Sequence, residues 1–102
     1  MNGFQRINHE GYMLFLAHYK IDWEHLETAM VKRLEWDEIK PDTFTIINEY
    51  VVNGHPDAVT GIMIFDVQNN EDISALTMFF GSTVTFDVRP CSDVKSAIQH
   101  YK

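Results

Sequence analysis

Two β-rich runs separated by only five residues restrict this chain more than any other feature. "FTIINEYVV" (44–52) and "AVTGIMIFDV" (58–67) are dense in β-branched and aromatic residues, and "NGHPD" between them carries an Asn-Gly pair and a proline. Such a linker suits a hairpin or a slightly longer turn, so the two runs are expected to pair as adjacent antiparallel strands. A strand and a helix precede this pair, and a helix and a strand follow it. In "MLFLAHYKI" (13–21), Phe15, Ala17, Tyr19 and Ile21 alternate with Leu14, Leu16, His18 and Lys20. Asp22 stands where an N-cap would, and Trp23, Leu26, Met30 and Leu34 recur at helical spacing up to Pro41. In "NNEDISALTMFFGS", Asn70 is placed to cap, Ile73, Leu76 and Phe80 share a face, and Gly81 is placed to end the helix. "TVTFDVRP" alternates again, and "SDVKSAIQHYK" predicts a short terminal helix capped by Ser92.

The order β, α, β, β, α, β, α is that of a split βαβ unit: an α+β domain with a four-stranded antiparallel sheet and two helices on one face. At 102 residues, 45% of them hydrophobic, the chain holds one core. Residues 13–102 are therefore expected to form a single domain. "MNGFQRINHEGY" lacks strand or helix periodicity and is expected to be a loose extension of 12 residues.

With two helices on one face, the other face needs an occupant. If the helices cover Phe15, Ala17, Tyr19, Val84, Phe86 and Val88, the open face presents Leu14, Leu16, His18 and Lys20 from the first strand. Ile62, Ile64 and Asp66 join them from the third, and Thr85, Asp87 and Arg89 from the last. The second strand offers either Ile47, Glu49 and Val51 or Ile46, Asn48 and Tyr50, and its pattern does not choose. Such a face is too apolar to stay wet and too polar at one end to be ordinary core. A homodimer packing sheet on sheet would bury the aliphatic part and enclose the polar part in a cleft able to take a small, partly apolar molecule.

From Met13 to about Val94 the chain resembles the dimeric α/β-barrel superfamily of ferredoxin-like proteins, and within it a group of small prokaryotic domains of unknown function. The resemblance rests on the opening strand "MLFLAHYKI" and on "IINEY" against an I-x-N/G-x-Y/W second strand. It extends to "GIMIFDV" followed by the acidic helix start "NNEDISAL", and to the proline-ended "TFDVRP". Asn48 and Tyr50 stand where glycine and tryptophan are usual. The resemblance implies the ferredoxin-like fold and dimerisation. It selects no activity, because the superfamily spans monooxygenases, isomerases, dehydratases, haem-degrading enzymes and proteins with no known activity.

Any chemistry would rest on few groups. His18, beside a partly closed acidic cleft, suits a general acid or base, with Asp66 or Asp87 to orient it and Arg89 or Lys20 to support a substrate oxygen. Glu49 is a further ligand-binding candidate. That combination would serve cofactor-free proton transfer or oxygenation. The same side chains serve equally as a polar network that sets dimer register, leaving a non-catalytic assembly or regulatory module as the alternative. His25, His55 and His100 have surface explanations, no HExxH pair is present, and no metal or other cofactor is called for.

Composition removes several partner classes. A formal charge of −7, from 15 acidic and 8 basic residues, gives no cationic field for nucleic acid or anionic membranes. The third strand, "TGIMIFDV", lacks the basic and aromatic residues of an RNA-reading sheet. No GxGxxG or GxxxxGK[ST] occurs, and no apolar run approaches the ~20 residues that cross a bilayer. Cys91 is the single cysteine, which excludes an intramolecular disulfide and fits a reducing cytoplasm.

Overall fold

The computed structural model describes residues 13–100, so the expected N-terminal extension lies outside the described residues. Strand β1 (Met13–Asp22) runs through a 3₁₀ turn (Trp23–His25) into helix α1 (Leu26–Ile39). The hairpin strands β2 (Phe44–Val52) and β3 (Ala58–Val67) follow, then α2 (Asn70–Phe80), β4 (Thr85–Pro90) and α3 (Val94–His100). The four strands lie in the order β2-β3-β1-β4, every neighbouring pair antiparallel. This is the ferredoxin-like α+β fold, with the helix order that the sequence predicts. None of the described helices is long and apolar enough to cross a membrane.

The core fills the space between one sheet face and the helices. Phe15 and Ala17 of β1, Met63, Phe65 and Val67 of β3, and Phe44 of β2 meet Ala29 and Trp36 of α1 and Leu76 and Phe80 of α2. Phe44 stacks on Phe65 with ring centroids 4.6 Å apart, and Trp36 stands edge-on to Phe44 at 5.3 Å. Two polar ties hold the helices to this layer. Thr43 donates to the buried Asp72 carboxylate in the first turn of α2, where a negative charge also suits the helix dipole. Lys32 of α1 donates to the Phe79 carbonyl at 2.9 Å while its ammonium lies 5.1 Å from the Phe79 ring centre.

Four local expectations are corrected. Asp22 makes no side-chain capping bond, and the chain turns through Trp23–His25 before α1 begins. The stripe Trp23, Leu26, Met30, Leu34 is not the buried face of α1: Met30 and Leu34 are 58% and 70% exposed, while Ala29 and Trp36 are buried. Lys32 and Arg33 hold half-buried positions between these two, covering apolar surface with their stems while their heads find partners. At the C-terminus Asp93 rather than Ser92 caps α3, accepting from the Ser96 amide at 2.8 Å. Asn69, not Asn70, occupies the N-cap position of α2.

Strand β2 contains a bulge. Ile46 pairs with Phe65 and Asn48 with Ile64, so Ile47 is an extra residue between neighbouring partners. Before the bulge Phe44 and Ile46 face the helices; after it, Glu49 and Val51 do, opposite Met63 and Gly61. The open face therefore receives Asn48, Tyr50 and Val52.

Candidate functional site

On the open face, β1 carries Leu14, Leu16, His18 and Lys20 between β3 and β4. His18 lies opposite Ile62 on one side and Asp87 on the other, and a shallow hollow of about 330 Å³ collects these three with Lys20, Thr60 and Thr85. The remaining members of the sequence-predicted group are dispersed. Asp87 and Arg89 pair with each other at 3.2 Å, and both are well exposed. Asp66 is buried but pairs with Leu14, four residues along β3 from Ile62, so it stands roughly 13 Å from His18 along the strand direction. Neither Asp66 nor Arg89 lines the hollow. Glu49 does not join this face at all, because the bulge has turned it to the helix side. Among the described residues, no cluster of three or more histidine, cysteine or carboxylate side chains could hold a metal ion.

The larger space lies on the opposite face. A cavity of about 600 Å³ opens between α1 and the sheet. Leu26, Ala29, Met30 and Leu34 form its α1 wall. Ile21, Val51, Val59, Met63 and Phe86 form the sheet side, and Phe80 and Val84 close the end nearest α2. Its polar groups are gathered at the β2 edge: Tyr19, Arg33 and Glu49, with Tyr50 alongside.

Each of the first three is held in place. The Arg33 guanidinium donates from Nε and Nη2 to the two Glu49 oxygens, 2.7 Å each, and from Nη1 to Asp37 one turn along α1, also at 2.7 Å. This fork-on-carboxylate geometry pins α1 to β2. It also raises the Arg33 pKa above its ordinary value, chiefly through the Glu49 hydrogen bonds. The Tyr19 ring crosses β3 at Gly61, and its hydroxyl donates to the Tyr50 carbonyl on β2 at 3.3 Å. Gly61 is what permits the crossing, since a Cβ there would overlap both the Tyr19 phenol and that carbonyl.

Burial pushes the Tyr19 pKa up, the Glu49 charge adds to the rise, and Arg33 offsets part of it. The phenol is therefore neutral around the cavity. Above pH ~10 an unfolded Tyr19 releases its proton before the folded one, so the folded state binds more protons and stability must fall as pH rises. Replacement by phenylalanine should remove that part of the alkaline loss, together with one late-ionising phenol in an ultraviolet titration. Identical titrations for the two proteins would contradict the burial assigned to Tyr19.

Comparison with known proteins places this geometry. A family model for a domain of unknown function, DUF3303, matches residues 13–102. The chain belongs to the DUF3303 family. No curated protein matches it. Among solved structures, the DUF3303 chain is similar to the uncharacterized protein TM1266 of Thermotoga maritima, with 12% identity and a TM-score of 0.60 over 79% of this chain and 99% of that one. It is also similar to the C-terminal domain of the MgtC protein from Mycobacterium tuberculosis, with 7% identity and a TM-score of 0.55 over 92% and 97% of the two chains. A de novo designed protein, Foldit4, matches with 9% identity and a TM-score of 0.51 over 80% and 98%. At such identities the likeness concerns fold alone. What distinguishes the DUF3303 chain is its own side chains, and sequence reasoning missed the two that matter most. Helical spacing gives Arg33 no place on the apolar stripe, and strand alternation marks Tyr19 only as an apolar-face residue. The available signal was Gly61 in the middle of a β-branched strand, which marks a close approach by another group.

Proposed function

We propose that this DUF3303 domain is a homodimeric binding module that holds a small, mainly apolar molecule in the cavity between α1 and the sheet. The observation that carries this reading is the cavity itself. Its volume of about 600 Å³ suits a small organic ligand, and its lining is apolar except for Tyr19, Arg33, Glu49 and Tyr50 at one edge. Tyr19, Arg33 and Glu49 would orient the ligand, and the reading assigns them no catalytic step. The open sheet face supports pairing with a second copy, because Leu14, Leu16, Ile62 and Ile64 lie there beside Tyr50 and Val52, which are 54% and 52% exposed. His18, Lys20 and Asp87 would then border the dimer interface on the side of the sheet away from the cavity.

Two experiments test the two halves of the reading. In a thermal-shift screen of small apolar compounds, Leu34→Gln at the exposed cavity rim should reduce the stabilisation by a hit, and His18→Ala should leave it unchanged. The reverse pattern would move the binding site to the open face. Leu16→Arg should turn a dimer into a monomer in sedimentation, since a guanidinium in the centre of a paired sheet face has no partner. An unchanged dimer mass would exclude the sheet face as the interface.

A further inference from the structure

The polar edge of the cavity has a definite charge character. Among the described residues Arg33 is its single cation, but Glu49 engages that guanidinium on two nitrogens and Asp37 on a third. The three groups together carry one net negative charge. The guanidinium is thus over-neutralised before any ligand arrives, and an incoming carboxylate or phosphate would have to displace Glu49 to reach it. The Tyr19 hydroxyl has already committed its proton to the Tyr50 carbonyl, which leaves its lone pairs to accept. Glu49 likewise retains acceptor capacity beyond its two bonds to Arg33. Its side chain is 30% exposed, so a group in the cavity can reach it. The chain's charge of −7 also favours the approach of cations over anions.

We propose that the cavity selects apolar molecules ending in a hydrogen-bond-donating, cationic head, an alkylamine or arylalkylamine in chemical class, and rejects those ending in a carboxylate. The amine nitrogen sits at the Glu49–Tyr19 edge and the hydrocarbon body lies along Leu26, Met63 and Phe86. This assignment rests on reading the cavity as a ligand site, and it adds the sign of the head group.

Three probes with the same ten-carbon body separate the two claims: decylamine, decanol and decanoate, each titrated below its micelle concentration by calorimetry at neutral pH. Decylamine should bind about tenfold or more tighter than decanoate, with decanol between them. Glu49→Gln, which retains a hydrogen-bond acceptor for Arg33 but removes the charge, should reduce the amine preference to about threefold or less. Glu38→Gln, on an exposed part of α1, should leave the preference intact and so separates the cavity from general attraction to an acidic surface. Equal or tighter binding of decanoate would overturn the head-group assignment while leaving the apolar cavity as a site. An amine preference that survives Glu49→Gln, or falls equally with Glu38→Gln, would overturn it too. Failure of all three probes to bind would remove the ligand-site reading and this inference together.

Discussion

A Gly61→Ala variant is expected to lose about 3 kcal/mol of stability, the upper end of the usual cost of forcing a methyl group into filled space. The added Cβ meets two obstacles of different kinds: the Tyr19 phenol and the Tyr50 carbonyl oxygen. A side chain can swing away, here into the cavity, but the carbonyl belongs to β2 and moves only with that strand. Combining Gly61→Ala with Tyr19→Ala should therefore recover only part of the loss. Urea denaturation of the single and double variants measures both quantities. A single variant with an unchanged midpoint would show that β2 does not approach Gly61 closely. Because the same displacement disturbs the cavity floor, the variant should also bind apolar probes more weakly than its residual stability alone explains.

The second large effect is expected at Trp36. Its side chain is almost fully buried, edge-on to Phe44 and 5.6 Å from the Phe79 ring centre, at the point where α1, β2 and α2 meet. Truncation to alanine should cost about 3–5 kcal/mol. Against a typical total of roughly 5–15 kcal/mol, that leaves a marginal fold or none. Trp36→Phe should cost far less, because the indole Nε1 is buried and has no hydrogen-bond partner among the described residues. Phenylalanine removes that unsatisfied donor while keeping an aromatic ring in place. Equal losses for the two substitutions would show that the indole itself, and not the volume it fills, holds the site together.

Much of this architecture is written in hydrophobic periodicity. The alternation in β1, the hairpin signal around Asn53 and Gly54, and the Ile73, Leu76, Phe80 face of α2 are each local patterns with a local cause, and the order of elements follows from them. Two features could not be read that way. The inner face of α1 includes Lys32 and Arg33, whose charged heads pair with the Phe79 carbonyl and with Glu49 and Asp37; hydrophobicity alone therefore points to Met30 and Leu34 instead. The cavity depends on what α1 leaves unfilled over the sheet, which is a property of packing between elements distant in sequence. The open-face group was legible as a set of positions, but not its spacing: Asp66 and His18 share a face and are still several residues apart along the sheet.

The bulge at Ile47 has a consequence for how such a domain diverges. The face a strand residue takes follows its partner across the ladder, so a one-residue slip of register turns everything beyond it over. Deleting Ile47 would leave Asn48 opposite Ile64 and Glu49 opposite Met63, whereas a slip that paired Ile47 with Ile64 would bring Glu49 and Val51 to the open face and send Asn48 and Tyr50 towards α1. Such a slip would strip Arg33 of its carboxylate partner and plant an acid in the surface opposite. Among relatives, a strand lacking the extra residue would therefore keep the polar edge of the cavity, and a shift of register beyond Ile46 would signal a change of cargo.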